Sequence, residues 1–388
     1  MPSDKEYKLT KLPRPAFESI VLLLQGGGAL GAYQAGVYEA LAEAELHPDW
    51  VAGISIGAIN AAIIAGNAPE ERVGKLKAFW EGMTAATAWD FLGDPLARFA
   101  RGNDARLLIN QLSATSTALS GVQGFFTPRF PSPWAHPRGS IEATSYYDTS
   151  ALKSTLVRLV DFDRINRPDT TRFSVGAVNV RSGNFIYFDS RHQPIVPEHV
   201  MASGSLPPGF PATEVGGEHY WDGGLVSNTP LQWVLQYGPR QDTLAFQVDL
   251  WSAHGDFPES MAEVTTRQKE ILYSSRTREN TDRFKNLQRI RHTMAKLLEN
   301  APPELRQSPE YAFLSDYADH KVYSILHLIY HSHRYEGDSK DYEFSRLSME
   351  EHWRSGYNDT ARTLRHPASL HRPRAGDGLS LFDIHDYD

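Results

Sequence analysis

The sequence contains no cysteine in 388 residues. Disulfides and thiolate metal sites are therefore excluded, and a reducing compartment fits this composition. Positive charge is also in deficit, because the formal net charge at pH 7 is −8 with histidines counted as neutral. Such a chain lacks the basic footprint of proteins that bind nucleic acid, so we predict no nucleic-acid partner.

Long uninterrupted apolar runs are missing as well. The most apolar stretch, Val21–Ala42, is broken by glycines and carries Glu39 near its end, which makes it a poor membrane span. The segment Met1–Arg14 is polar and has no apolar region of the kind that a signal peptide requires. We therefore expect a soluble, cytoplasmic protein. Its length allows one large α/β domain with an appendage, or two domains.

The first third of the chain predicts an α/β fold with a largely parallel sheet. Strands are expected at Ile20–Gln25 and Trp50–Ile54, since both are short apolar runs next to glycines. Helices are expected at Ala32–Leu46, at Ala58–Ala65, and at Glu70–Trp80 after Pro69. This strand–loop–helix–strand–turn–helix order is typical of a parallel sheet covered by helices.

The remainder of the chain predicts further strands, more helices and two irregular segments. Strands are expected at Arg172–Val180, Asn184–Phe188, Thr243–Leu250 and Val322–His331. Helices are expected at Ser150–Val160, over Phe284–Leu297 and from a capping box of Ser348 with Glu351 to about Leu364. Met201–Pro211 reads as irregular, and the tail after Arg365 as extended or mobile.

The segment Gly53-Ile54-Ser55-Ile56-Gly57 has the pattern Gly-x-Ser-x-Gly between a predicted strand and a predicted helix. This is the layout of a nucleophile elbow, in which a strained turn raises the serine hydroxyl above the sheet. The pattern alone is weak, because small residues fill many tight turns. Its place between strand and helix makes Ser55 a candidate nucleophile.

A second glycine segment, Gly26-Gly27-Gly28, follows the first predicted strand and precedes a helix. Successive amides of such a loop can converge on one oxygen, so they form a candidate oxyanion hole for acyl transfer. The same residues, extended to Gly31, also satisfy the dinucleotide fingerprint Gly-x-Gly-x-x-Gly. An NAD-dependent oxidoreductase is therefore an alternative, although Asp49 precedes the second strand rather than ending it.

The general base is less evident from the residues themselves. His192, His199 and His219 lie in the expected core domain, so a serine–histidine–aspartate triad stays open. None of the three occupies a glycine-flanked turn of the kind that presents a side chain at a sheet edge. Asp222 does occupy such a turn, because Gly223 and Gly224 follow it. An Asp-Gly pair is, however, also common in turns that have no function.

Together these segments resemble the bacterial patatin-like phospholipases. Gly26–Gly31 matches the glycine-rich oxyanion block of that family, Gly53–Gly57 its nucleophile elbow, and Asp222-Gly223-Gly224 its Asp-Gly-Gly block. Met201–Pro207 resembles the proline-bearing block between them. The resemblance implies a patatin-like three-layer α/β sandwich with a Ser55–Asp222 dyad that hydrolyses acyl lipids and needs no metal or organic cofactor.

The region from about 265 to 370, including Lys340–Arg346, is similar to a domain of unknown function appended to some bacterial patatins. The resemblance implies a tail over 1–17, an acyl hydrolase domain over 18–258, a mostly helical C-terminal domain over 259–370, and a tail over 371–388. A scaffold protein without turnover remains the third hypothesis. Whether the chain forms a homo-oligomer stays open.

Three features have both a functional and a plain structural interpretation. Gly121–Ser140, rich in proline and aromatic residues, is a surface loop anchored by its rings or a lid over an acyl channel, the loop being favoured. His327, His331 and His333 could share a strand face, but we favour solvated or core histidines over a metal site. The apolar and basic residues of 284–297 could contact a membrane surface, although packing is the commoner explanation.

Overall fold

The computed structural model describes residues 9–84, 103–238, 240–274, 277–332, 335–374 and 378–384. The strands are β1 (Ser19–Leu24), β2 (Trp50–Gly53), β3 (Thr127–Pro128), β4 (Tyr147–Asp148), β5 (Arg172–Asn179), β6 (Phe185–Asp189), β7 (Thr213–Val215), β8 (Glu218–Asp222), β9 (Thr243–Asp249), β10 (Tyr323–Ile329) and β11 (Leu379–Asp383). The helices are α1 (Ala32–Glu43), α2 (Ile56–Ala65), α3 (Pro69–Met83), α4 (Asn103–Ser120), α5 (Ser150–Leu159), α6 (Phe162–Ile165), α7 (Pro197–Ser203), α8 (Leu231–Tyr237), α9 (Met261–Tyr273), α10 (Thr277–Glu299), α11 (Pro303–Arg306), α12 (Pro309–Tyr317) and α13 (Arg346–Arg365).

Nine of the described strands form one mixed, mostly parallel sheet. Its order is β11-β10-β9-β1-β2-β5-β8-β7, and β6 also pairs with β5. The pairs from β11 through β5 are parallel, whereas β6 and β8 run antiparallel to β5. Since β1 and β2 are parallel neighbours, the glycine loop after β1 and the serine turn after β2 lie at the same edge of the sheet.

Apolar side chains of β1 point alternately to the two faces of the sheet, so both faces must be covered. Ile20, Leu22 and Leu24 belong to a core shared with α1 and α2. Val21 and Leu23 point to the opposite face and pack with apolar residues of α8 and α10. The buried strand therefore forms the middle layer of a three-layer sandwich, which is why it reads as a continuous apolar run.

The C-terminal region is continuous with this sandwich. β10 pairs with β9 in parallel, and β11 extends the same sheet, so residues 379–383 form an edge strand in the tail that we expected to be extended or mobile. Helix α13 packs on α1, where Trp353 Nε1 donates to the Glu39 carboxylate at 2.7 Å and Tyr33 donates to Asp359 at 2.9 Å.

Three local predictions were wrong. Ser345 caps α13, because its hydroxyl accepts from the amide of Ser348, which therefore lies within the first turn instead of capping it. Met201–Ser203 is the last turn of α7 and not irregular, since Pro197 starts a helix there.

The third correction concerns the face on which α10 packs. Ile290 and Leu297 of the predicted apolar stripe are 56% and 69% exposed. Phe284 and Leu287 of the stripe pack in the core as predicted, but the buried face also includes Gln288 and His292, which both bond to the carbonyl of Lys321. Polar side chains with backbone partners share this interface with apolar ones, and the periodicity of hydrophobicity does not register them. Contact of this helix with a membrane surface stays a prediction.

Candidate active site

Ser55 occupies a strained turn between β2 and α2. Its φ is 55°, a left-handed value that is uncommon for residues other than glycine. The turn is also tightly packed, because a Cβ atom at Gly57 would lie 2.3 Å from the carbonyl oxygen of Leu24. The Ser55 amide donates to the carbonyl and to the hydroxyl of Ser203, both at 3.1 Å. The chain geometry therefore matches the predicted elbow.

Strand pairing brings Asp222 to this turn. β8 runs antiparallel to β5 with Asp222 opposite Ala177, while Gly53 at the end of β2 lies opposite Val175 of the same strand. The Asp222 carboxyl consequently lies beside Ser55, whose side chain acts to lower the pKa of that carboxyl. The carboxylate accepts a hydrogen bond from the Gly224 amide at 2.7 Å.

The Asp222 carboxyl is buried, with 1% of the residue exposed. Burial raises its pKa from the ordinary 3.8 to about 7, although the Ser55 side chain and the Gly224 amide act in the opposite direction. Desolvation dominates because the charged form loses its hydration, and neither of these two neighbouring groups is a cation. A carboxylate with a pKa near neutrality is a far stronger proton acceptor than an exposed one.

The amides of the glycine loop differ in what they bind. The Gly26 amide donates to the carbonyl of Asn228 at 3.3 Å, whereas within the described residues no acceptor is found for the amides of Gly27 and Gly28. Gly28 has φ +57°, and a Cβ atom there would lie 2.0 Å from the carbonyl oxygen of Asp341. Only glycine fits that position.

Four residues from outside the loop hold it in place. The Asn228 and Trp251 side chains donate to the Gly26 carbonyl, both at 3.0 Å. The carbonyl of Tyr273, at the end of α9, accepts from Asn228 at 3.0 Å and from Gln25 at 3.2 Å. Gln25 in turn accepts from the amides that follow β9. The loop is therefore braced by the segment after Asp222 and by the C-terminal region.

Ser55, Asp222 and the glycine loop share one cavity of about 520 Å³. Its walls are mainly apolar. The apolar and aromatic lining residues are Ile56, Ile59, Ala118, Phe125, Phe126, Tyr147, Leu206, Pro207, Pro208, Phe210, Trp251, Tyr273, Tyr342 and Phe344. Asp222 and Asp341 are the charged lining residues in the part of the chain that the structure describes, and no histidine is among them.

The candidate histidines lie elsewhere. His199 is buried, accepts from the Val196 amide at 2.9 Å, and has a pKa lowered to about 4 by desolvation. Its role is to cap α7 locally. His333 lies outside the described residues. Within them, no three side chains of histidine, aspartate or glutamate lie close enough to hold a metal ion.

The segment 121–140 is divided between core and solvent. Phe125 and Phe126 are buried and line the cavity, whereas Phe130 and Trp134 are 98% and 87% exposed. This arrangement corresponds to a surface loop anchored by two of its rings.

Several residues that contact the site were not predicted from the sequence to belong to it. Ser203 lies in a segment that we compared with a family block, but its bond to the Ser55 amide was not anticipated. Asn228 and Tyr273 were not predicted at all, and Asp341 was noted only as part of Lys340–Arg346, without a place in the site. The Asx-type residue Asn228, six positions after Asp222, is the one that its proximity to a motif could have suggested.

Comparison with known proteins agrees with this geometry. A family model described as patatin-like phospholipase matches residues 22–234, more than half of the chain. The chain belongs to the patatin-like phospholipase family. A second model, for a domain of unknown function described as patatin phospholipase, matches residues 271–376 of this patatin-like chain. The predicted family and patatin-type α/β fold are thereby confirmed, and membership implies a lipid acyl hydrolase. The domain boundaries stay predictions.

Solved structures include a distant neighbour of the patatin-like chain. The crystal structure of VipD from Legionella pneumophila is 14% identical to it, with 91% of this chain and 70% of that chain covered and a TM-score of 0.38. A search among curated proteins finds no match. In the described ranges, no helix combines the length and the apolar character needed to cross a bilayer.

Proposed function

We propose that this protein is a serine hydrolase that cleaves carboxylic esters of acyl lipids, with Ser55 as nucleophile and Asp222 as general base. The observation that supports this best is the position of Ser55 beside the buried Asp222 carboxyl in one cavity, where burial raises the pKa of that carboxyl to about 7. The two groups share a mainly apolar cavity in which no described histidine could act as the base.

In the acylation step, the Ser55 hydroxyl attacks the ester carbonyl carbon while its proton passes to Asp222. The carbonyl oxygen becomes an oxyanion, for which the amides of Gly27 and Gly28 are the available donors, since the Gly26 amide already has an acceptor. Collapse of the tetrahedral intermediate breaks the bond to the alcohol, which leaves with the proton from Asp222.

Deacylation repeats this sequence with water in place of serine. Asp222 takes a proton from water, the hydroxide attacks the acyl carbon, and the proton returns to the Ser55 oxygen as the fatty acid leaves. The same two residues therefore serve both half-reactions.

The contacts of the glycine loop oppose the dinucleotide alternative. A dinucleotide places its pyrophosphate at the amides that open the helix. Here the Ala29 amide donates to the Asp341 carbonyl at 2.8 Å, so a chain segment covers that position. Asp49 is also engaged, because its carboxylate accepts from the Ile20 amide at 2.7 Å.

The test is hydrolysis of a panel of p-nitrophenyl and glycerol esters of graded acyl chain length by the full chain. We expect release of fatty acid from at least the medium-chain esters, because the cavity wall is apolar. Thermal-shift measurements with NAD run in parallel and should show no stabilisation. Absence of hydrolysis across the whole panel, or stabilisation by NAD, would contradict the proposed function.

Replacement of Gly28 by alanine should lower kcat by about 10²–10³, the usual loss when an oxyanion donor is misplaced. The added Cβ would collide with the Asp341 carbonyl, and the φ of +57° disfavours any side chain. Gly74→Ala is the matched control, since a Cβ atom there meets nothing within 4 Å. Steady-state kinetics measure kcat for both variants. Equal kcat values for Gly28→Ala and Gly74→Ala would argue against a role of the glycine loop in binding the oxyanion.

A further inference from the structure

The segment 340–344 belongs to the C-terminal region, to which the catalytic scheme above assigns no role. Asp341, Tyr342 and Phe344 nevertheless line the cavity that holds Ser55. We propose that Phe344 determines which acyl chain lengths the enzyme accepts, so that the C-terminal region sets specificity. This inference rests on the proposed function.

The segment is fixed against the glycine loop at one end. The Asp341 carbonyl accepts from the Ala29 amide at 2.8 Å, and the Asp341 carboxylate pairs with Lys269 of α9 at 2.9 Å. Lys340 is 4% exposed, pairs with Glu270 at 2.7 Å and lies over the Trp251 ring. These contacts tie the segment to the residues that brace the oxyanion loop.

Phe344 is also fixed through the two residues that flank it, Ser345 and the buried Glu343, which is 3% exposed. The Glu343 carboxylate accepts from Ser113 of α4 at 2.6 Å and from the Ser345 amide at 2.9 Å. Ser345 then caps α13. With anchored residues on both sides, the Phe344 side chain is held as a rigid part of the wall.

The ring of Phe344 completes an aromatic cluster. Its centroid lies 6.3 Å from that of Phe125 and 6.4 Å from that of Phe126, both in edge-on orientation. Phe210 contacts the same two rings at 5.6 and 5.2 Å. A wall of interlocked phenylalanine rings is suited to the methylene chain of an acyl group. Removing the Phe344 ring lengthens the space available to the acyl chain, and replacing it with a larger ring shortens that space.

The experiment compares acyl chain-length profiles of kcat/KM, from p-nitrophenyl acetate to palmitate, for the full chain and its variants. Phe344→Ala should raise the ratio of long-chain to short-chain kcat/KM at least tenfold, and Phe344→Trp should lower it by a similar factor. Phe313→Ala is the matched control in the same region, because that side chain is 61% exposed. It should leave the profile unchanged.

The alanine and tryptophan variants are expected to change the ratio in opposite directions, so the test stays decisive even if one of them folds poorly. Thermal melting shows whether each variant is folded. A profile that keeps its shape in both Phe344 variants while the unaltered chain hydrolyses esters would overturn this inference alone. No hydrolysis by the unaltered chain would overturn the proposed function together with it.

Discussion

Replacing Ser55 with alanine is expected to lower kcat for acyl esters by about 10⁴–10⁶, the range found when a serine nucleophile is removed. The expectation follows from geometry, since Ser55 is the hydroxyl that the elbow presents to Asp222. Burst kinetics should vanish as well, because no acyl-enzyme can form. Steady-state and stopped-flow assays with p-nitrophenyl esters measure both.

The control for this variant is Ser154→Ala, an exposed serine on α5. Both variants should keep the melting temperature of the unaltered protein within a few degrees, so that a loss of activity reflects chemistry and not unfolding. Retention of a substantial fraction of activity by the Ser55 variant would exclude it as the nucleophile.

Replacing Asp222 with asparagine should also lower kcat, by about 10⁴, because the amide cannot accept the serine proton. The same change should stabilise the fold. Folding raises the pKa of the Asp222 carboxyl from 3.8 to about 7, so the folded state binds the proton of this group more tightly than the unfolded chain does. Ionisation of Asp222 therefore destabilises the fold, and this cost grows between pH 4 and 7 and is complete above pH 7.

The difference in stability between the unaltered chain and Asp222→Asn should therefore change between pH 4 and pH 7. At pH 8 Asp222→Asn should melt several degrees higher than the unaltered chain, and the gap should narrow as pH falls toward 4. Asp169→Asn, an exposed aspartate, should show neither effect. In the unaltered enzyme, kcat should fall about tenfold per unit below pH 7. A profile that stays flat down to pH 5 would speak against Asp222 as the base.

The sequence was sufficient for those parts of the site in which local residues determine local conformation. Glycines around Ser55 predict a tight turn, and the apolar run before Gly26 predicts a buried strand, because both depend on neighbours along the chain. The parallel arrangement of β1 and β2 then follows from element order. Asp222 was different, since only the family resemblance placed it with Ser55.

Contacts across long separations could not be read from the sequence. Asn228 meets Gly26 across 202 positions, and Asp341 meets Ala29 across an even longer interval. Each uses a backbone carbonyl or a single amide, for which composition and periodicity contain no signal. The packed face of α10 was predicted correctly only in part for a related reason, because buried Gln288 and His292 bond to the carbonyl of Lys321, which lies just before β10.

The most direct measurement is the rate at which a fluorophosphonate labels Ser55, located by peptide mass spectrometry, in the unaltered chain and in Asp222→Asn. A nucleophile activated by the buried carboxylate predicts a single adduct on Ser55 that forms in the unaltered protein and is slowed by orders of magnitude in the variant. An adduct on a different serine, or equal labelling rates in the two proteins, would contradict it.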